Sequence, residues 1–410
     1  MTSTFAAIDV GTTKITTLVG EVTPMEGLRI IGVGVTPAAG LSRGMVDNIR
    51  EATAAIRASI DKAERASGTR ILSATIGISG AHVQSLNNRG VVAVPDRAHS
   101  IGRGDIARAL EAAKIVSVPT NREILHVVPR YFVVDGQDSV TDPVGMYGQR
   151  LDVEAHIITA SSNAIANVVK IVESSGVRVD EVVLEPLAGA RAVLTAEEKR
   201  QGVILADIGG GTTDICIFVD GSVIHSGALP VGGNHVTRDL VVALRCPYHS
   251  AEEAKERYGS ALPSTVEDDS IELEAFGAER QRFYSRRRIC EVIQARCEEI
   301  LELIVEEARR NTDVGTLSAG LVLTGGTARL PSLDLLAEQV TDLPARVGVP
   351  GNIYGLVDGL QDPAFAIAVG LLEAAALGEE VSLRGRPVGP GAFDGLFRKI
   401  GNLFKVLLPE

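Results

Sequence analysis

The chain has 410 residues, 45% of them apolar and 22% charged, an ordinary composition for a soluble protein and enough length for two core-bearing domains. A net charge of -12 leaves no surplus of Lys and Arg for a phosphate backbone and argues against nucleic acid as a partner. No run approaches the roughly 18 uninterrupted apolar residues of a spanning helix, and Cys216, Cys246, Cys290 and Cys297 lack both CxxC spacing and a secreted framework, so reduced cytosolic thiols are expected rather than zinc or disulfides.

In chain order, the opening MTSTFAAIDVG has neither a basic start nor a long apolar run, so no cleaved signal is expected. From Ala6, AAIDVGTTKITTLVG reads as strand, tight turn and strand. Residues 82–159 follow a strand ending IGISGAHV and change texture, with the extended runs GVVAVPD, ILHVVPRYFVV and VEAHIITA around one helix beginning near Asp105, the pattern of an inserted α+β subdomain. Ser161 to Ser175 and Glu185 to Glu198 read as helices, the second tolerating Pro186 in its first turn. From Leu205, LADIGGGTTDICIFV repeats the first hairpin with Asp207 placed 198 residues after Asp9, which implies a duplicated domain.

A second, mostly helical insertion over 234–312 holds NHVTRDLVVAL, SAEEAKERYG and a long helix from about Ser285 to Arg310. GLVLTGGTARLPSL, from Gly320, is a buried strand ending in paired glycines that allow close backbone approach. Pro363 to Leu377 is an apolar, small-residue helix, and GEEVSLRGRPVGPG a linker leaving the globular body. In the tail, Phe393, Leu396, Phe397, Ile400, Leu403, Phe404 and Leu407 form one helical stripe, with Arg398, Lys399 and Lys405 off its centre.

A nucleoside triphosphate needs backbone N–H groups aimed at its oxygens, glycines that let the chain approach, and carboxylates to hold the water shell of Mg²⁺. Gly11, Thr12, Thr13 and Lys14, with Asp9 at the strand end, supply this set once. Gly209, Gly210, Gly211, Thr212 and Thr213 supply it again, with Asp207 before the turn and Asp214 after it. A single Asp-x-Gly-Thr is more often an ordinary turn; two matched ones plus the Thr324–Thr327 strand end predict a nucleotide site. Neither G-x-x-x-x-G-K-[ST] nor a strand-associated G-x-G-x-x-G is present, which removes the commoner phosphate-binding folds.

These motifs, in this order, resemble the phosphate-1, phosphate-2 and adenosine motifs of the actin superfamily, and LEPLAGARAVL and PAFAIAVGLLEAA look like its two connecting helices. The resemblance runs from Phe5 to about Leu377 and implies an α/β, actin-like, duplicated ribonuclease H-like ATPase fold around a cleft. It implies Asp9, Asp207 and Asp214 holding Mg²⁺ through water, Glu185 orienting the attacking water, and Gly325 and Gly326 lying against the nucleoside. Glu252 and Lys255 share a helix face, as the family's ribose- and base-contacting pair does, or form a plain surface salt bridge.

Within the superfamily, the insertion at 82–159 and LPVGGNHVTRDLVVALRCPYHSAEEAKERYG with RQRFYSRRRICEVIQARCEEILELI resemble the FtsA family. That resemblance assigns 1–81 with 160–190 and 356–378 to subdomain 1A, 82–159 to 1C, 191–230 with 313–355 to 2A, 231–312 to 2B, 379–391 to a linker and 392–408 to an amphipathic membrane-targeting helix. It implies a cell-division protein that polymerises, receives the FtsZ C-terminal tail on 2B, with Arg286, Arg287 and Arg288 as candidates, and recruits later division proteins through 1C. It would sit on the cytoplasmic face of the membrane at the division site, and hydrolysis would be slow. Burying each large tail residue contributes roughly 1.5–3 kcal/mol and each nearby Lys or Arg about 1 kcal/mol on anionic lipid, before ordering costs. Docking of the tail into a protein groove, and a soluble small-molecule kinase or PilM-like ATPase, are the alternatives.

Overall fold

A computed structural model describes residues 4–383 apart from 24–26, 96–99, 278–280, 352 and 357–358. Lobe I is built on a six-stranded sheet ordered Arg178–Leu184, Ser73–Ile78, Thr4–Val10, Lys14–Thr23, Gly27–Pro37 and Tyr354–Gly355. Lobe II repeats the plan with five strands, ordered Ser222–Leu229, Thr213–Val219, Val203–Ile208, Gly320–Thr324 and Ala345–Val347. In each, the first motif strand pairs antiparallel with its hairpin mate and parallel with a strand from later in the chain. Central strands covered on both faces are mostly apolar, and Val203–Ile208 and Gly320–Thr324 are buried at every residue, with only Asp207 and Thr324 polar, at their cleft ends.

Helix Ile49–Ser67 covers one face of the lobe I sheet. Asn48 caps it by accepting from the N–H groups of Arg50 and Glu51, and Gly68, at φ 68°, ends it in the left-handed region. Ala52, Ile56, Ile60 and Ala63 form its buried stripe. The sheet meets it at Gly34, where a Cβ would lie 2.0 Å from the Ser59 carbonyl oxygen.

Two helices connect the lobes. The stretch expected as one helix over 185–198 is two, Glu185–Val193 and Ala196–Gln201. Leu194 is extended, and Thr195 starts the second helix with a capping box: its Oγ1 accepts from the Glu198 N–H, and the Glu198 carboxylate accepts from the Thr195 N–H. The last helix is longer than its expected 363–377. It opens with a 3₁₀ turn, Pro363–Phe365, and continues as Ala366–Leu383, so the expected linker start at 379 is helical. The rest of that linker and the tail helix at 392–408 lie outside the described residues. The helices Glu185–Val193 and Ala366–Leu383 cross at Gly370, whose Cβ would sit 1.8 Å from the Ala188 carbonyl oxygen.

The first insertion is a four-stranded sheet ordered Gln84–Ala93, Arg150–Ser161, Arg122–Val134 and Gln137–Val140, backed by helix Arg103–Ala113. The second contains helix Gly233–Leu244, helix Tyr248–Glu253 continuing as a π turn Ala254–Tyr258, hairpin Ser270–Glu274 with Gln281–Ser285, and helix Arg286–Asn311.

The first insertion belongs covalently to lobe I yet is hydrogen-bonded to lobe II. The fully buried His156 faces Asn87 Oδ1 at 2.8 Å through Nδ1 and Ser226 Oγ at 3.0 Å through Nε2. Because the Asn87 amide donates to the Ile224 carbonyl at 3.0 Å, its Oδ1 accepts, so Nδ1 of His156 carries the proton and Nε2 accepts from Ser226. Ser85 Oγ donates to the Ser226 carbonyl and accepts its N–H, at 2.7 and 3.1 Å, and Ser222 Oγ donates to the Arg130 carbonyl at 2.7 Å. On the lobe I side, buried His126 accepts the N–H of Leu184, the residue before Glu185, at 3.0 Å.

Candidate functional site

A cavity of about 420 Å³ lies between the lobes. Lobe I brings Asp9, Gly11, Thr12, Thr13 and Lys14 to it; lobe II brings Asp207, Gly209, Gly210, Thr212, Asp214, Gly325 and Gly326. Glu185 reaches it from the first connecting helix, and Glu252 and Lys255 from the second insertion. The hairpin turns touch, since a Cβ on Gly210 would lie 2.1 Å from Thr13 Oγ1. Gly325, at φ 88°, passes so close to the motif strand that a Cβ would meet the Ile208 carbonyl at 2.7 Å and Asp207 Oδ1 at 2.8 Å.

Two expected residues sit differently. Thr213 is fully buried and donates its hydroxyl to the Val231 carbonyl at 2.8 Å, so that hydroxyl is not offered to the cavity. Gly211 packs against the loop at Arg43, whose Cα would be 3.1 Å from an added Cβ.

Four carboxyl groups converge with their charge poorly compensated. Burial pushes Asp9 up to about 6, with Lys14 opposing. Burial pushes Asp214 up to about 7 against hydrogen bonds from the Ser79 and Thr212 hydroxyls and the Gly80 N–H. Asp207 and Glu185 are driven well above the usual carboxylate range, by burial first and then by repulsion from one another's neighbours, Asp9 and Asp214. Lys14 is lowered by burial, and its ammonium has no hydrogen-bond partner among the described residues. A buried, donor-rich cation in this state is a site for an anion, and the acid cluster beside it is a site for positive charge.

Lys255 donates to both Glu252 oxygens, at 2.8 and 2.9 Å, and to Thr237 Oγ1 at 2.9 Å, while the Thr237 hydroxyl donates to Glu252. The pair therefore lines the cavity in fixed positions and is not a loose surface bridge. The sequence reading missed Ser79, on the wall beside Glu185 and Asp214, and Asn234 and Arg329. Ser79 was findable, because the run ending IGISG is another strand stopping in a tight turn.

The family model described as cell division protein FtsA matches residues 204–370, and that of the SHS2 domain inserted in FtsA matches residues 80–159, the first insertion. The cell division protein FtsA of Pseudomonas aeruginosa is 41% identical over 366 residues, spanning 89% of this chain and 87% of that protein. Among solved structures, the PilM-PilN type IV pilus biogenesis complex superposes with a TM-score of 0.63 at 17% identity, over 91% of this chain and 98% of the other. MreB 5 of Spiroplasma citri bound to AMPPNP does so with a TM-score of 0.57 at 13% identity, over 93% and 99%. Those two likenesses show an actin-like fold, and the PilM-like alternative rests on nothing closer. The soluble-kinase reading has no counterpart among these relatives, and the chain, an actin-like cell-division protein, belongs to the FtsA family.

Proposed function

We propose that this protein binds ATP with Mg²⁺ in the interlobe cavity, self-associates in that state, and tethers FtsZ filaments to the cytoplasmic face of the membrane at the division site. The observation that carries the reading is the meeting of the Lys14 ammonium, which has no hydrogen-bond partner among the described residues, with four buried carboxyl groups between two glycine hairpins. A structural neighbour binds AMPPNP on the same fold. Mg²⁺, when bound, supplies positive charge that offsets the phosphates and the acids. Among the described residues no three His, Cys, Asp or Glu side chains converge as direct ligands, so Asp9 and Asp207 would act through the cation's water shell. Gly11 to Thr13, Gly210 and Thr212 would offer N–H and hydroxyl donors to the phosphates, with Lys14 beside them, and Gly325, Gly326, Glu252 and Lys255 would line the nucleoside side of the cavity. Glu185, at the start of the first connecting helix, would orient a water, and turnover would be slow.

The second insertion would receive the FtsZ tail. Phe276 and Phe283 are 59% and 70% exposed there, and the exposed Arg287 and Arg288 open the helix that follows the hairpin, so that the same subdomain offers both apolar and basic side chains to an acidic peptide with apolar residues. Arg286 is held instead by its bond to the Tyr258 carbonyl at 2.9 Å. No helix among the described residues is long and apolar enough to cross a membrane. Attachment would come from the amphipathic stripe Phe393 to Leu407, and later division proteins would bind the first insertion.

The test is co-sedimentation with anionic vesicles and ATP, comparing the full chain, a truncation ending at Gly389, and Asp207→Ala. The full chain should pellet and carry purified FtsZ with it, and the truncation should stay in solution. Asp207→Ala should weaken ATP binding by at least about tenfold, equal to about 1.4 kcal/mol, and abolish self-association. An Asp207→Ala protein that binds ATP and assembles normally would refute the cleft assignment; a truncation that still pellets would refute the tail as anchor.

A further inference from the structure

Lys14 is the positive end of the lobe I hairpin, but what holds it comes from elsewhere. Its ammonium stands 3.6 Å from the centre of the Phe365 ring. Phe365 ends the 3₁₀ turn that precedes the second connecting helix, and that turn is fastened to lobe II. The Pro363 carbonyl accepts from the Gly325 N–H at 3.0 Å and from Thr324 Oγ1 at 2.9 Å, both at the end of the glycine-pair strand. Asp362 caps the turn by accepting from the Ala364 N–H at 2.9 Å, and the same carboxylate receives Arg329 Nε at 2.7 and 2.9 Å. Arg329 in turn lies 6.0 Å from the Phe365 ring centre. The contact between Lys14 and Phe365 therefore crosses the cleft.

A buried ammonium held by a carboxylate or carbonyl gives up N–H donors to its holder. An aromatic face attracts the charge through the ring quadrupole and takes no directed hydrogen bond. The ring thus fixes the cation in position and leaves its donors open, which matches the finding that Lys14 Nζ is buried with no hydrogen-bond partner among the described residues. Asp9 acts on it by charge, and no hydrogen bond joins them.

We propose that Phe365 is a positioning residue for phosphate recognition: its ring, anchored to lobe II by the Thr324–Gly325 strand end and the Asp362–Arg329 pair, presents the lobe I ammonium of Lys14 to the phosphate groups of a nucleotide. This rests on the nucleotide reading of the cleft. It makes one aromatic side chain, absent from the hairpin motifs, a determinant of how strongly the cleft distinguishes a nucleotide from a nucleoside.

The experiment measures binding of ATP and of adenosine by calorimetry to the full chain and to Phe365→Leu, Phe365→Tyr, Lys14→Met and the double variant Lys14→Met with Phe365→Leu. Phe365→Leu should weaken ATP roughly tenfold and change adenosine less than about twofold, while Phe365→Tyr, which keeps the ring, should bind ATP like the parent. In the Lys14→Met background, Phe365→Leu should have no further effect on ATP, because the ring then has no cation to present. Should Phe365→Leu fail to fold, Phe365→Met removes the ring at similar volume and the same comparison holds. Equal loss of ATP and adenosine affinity, or a Phe365 effect that persists without Lys14, would overturn the proposal while leaving the nucleotide site standing. ATP affinity unchanged in Lys14→Met would instead bring down the phosphate reading of the cleft itself.

Discussion

Replacing Gly370 with alanine should lower stability by more than about 3 kcal/mol, and with valine by more again. The added Cβ would lie 1.8 Å from the Ala188 carbonyl oxygen and 2.4 Å from its carbon, both backbone atoms of a helix already packed on its other side. Leu187, Ala188, Leu371 and Leu372 belong to one buried cluster, so the two connecting helices can part only by opening the core beneath both lobes. The control is Gly189→Ala on the opposing helix, whose new Cβ meets the Ile367 Cδ1 at 3.0 Å, the yielding end of a side chain. There the gain in helix propensity, about 1 kcal/mol, roughly offsets the crowding. Scanning calorimetry should show Gly189→Ala melting near the parent and Gly370→Ala at least roughly 6 °C lower. Near-parental melting of Gly370→Ala would mean that the crossing is looser than its geometry states.

The second large effect concerns pH. Burial pushes His126 down to about 4 and His156 down to about 3, the latter with help from His225 and Arg130. Both histidines are neutral in the folded protein well below their ordinary value of about 6.5, whereas the unfolded chain takes up the protons there. Unfolding then binds protons, and stability is lost as pH falls from about 6.5 towards 4, at up to about 1.4 kcal/mol per pH unit for each histidine. The loss should appear first where these rings act. Amide hydrogen exchange in Gln84–Ala93 and Ser222–Leu229 should accelerate between pH 6.5 and 5 more than in Val203–Ile208, after correction for intrinsic rates. His156→Leu should flatten part of that pH dependence, and at pH 7 it should cost about 2–4 kcal/mol by stranding the Asn87 oxygen and the Ser226 hydroxyl. Uniform acceleration across all three strands would contradict a local role for the rings.

The parts of this molecule that the sequence disclosed are those written in local pattern. Two hairpins with matched Asp and Gly-Thr-Thr turns, and a glycine pair after a buried strand, declare themselves by residue type and order. Thr213 was misjudged although strand alternation held the answer: Thr212 and Asp214, two apart, share a face and lie 3.4 Å apart through Oγ1 and Oδ2, so Thr213 between them faces away. The break at Leu194 was also written locally, in the capping box of Thr195 and Glu198, but the apolar run before it masked the stop. Asn234, Arg329 and Phe365 were harder. Each lies beside the site only because distant segments are folded together, and their own sequence neighbourhoods carry no periodic or motif signal for that role.

The attachment of the first insertion to both lobes has a mechanical consequence. Its chain leaves lobe I beyond Ser73–Ile78 and returns through Arg150–Ser161, which runs directly into helix Ser162–Ser174 with no intervening loop. A body rooted in one lobe and bonded to the other closes a ring of contacts around the cleft, so the lobes are not free jaws on a single hinge. Widening the cleft must either shear the insertion along Ser222–Leu229, against the bonds of His156, Asn87, Ser85 and Ser222, or bend its two chain crossings. Either route spends work on the insertion. On the lobe I side the insertion is also tied to the residue before Glu185, through the His126 bond to Leu184, so strain along this ring of contacts ends at the start of the first connecting helix.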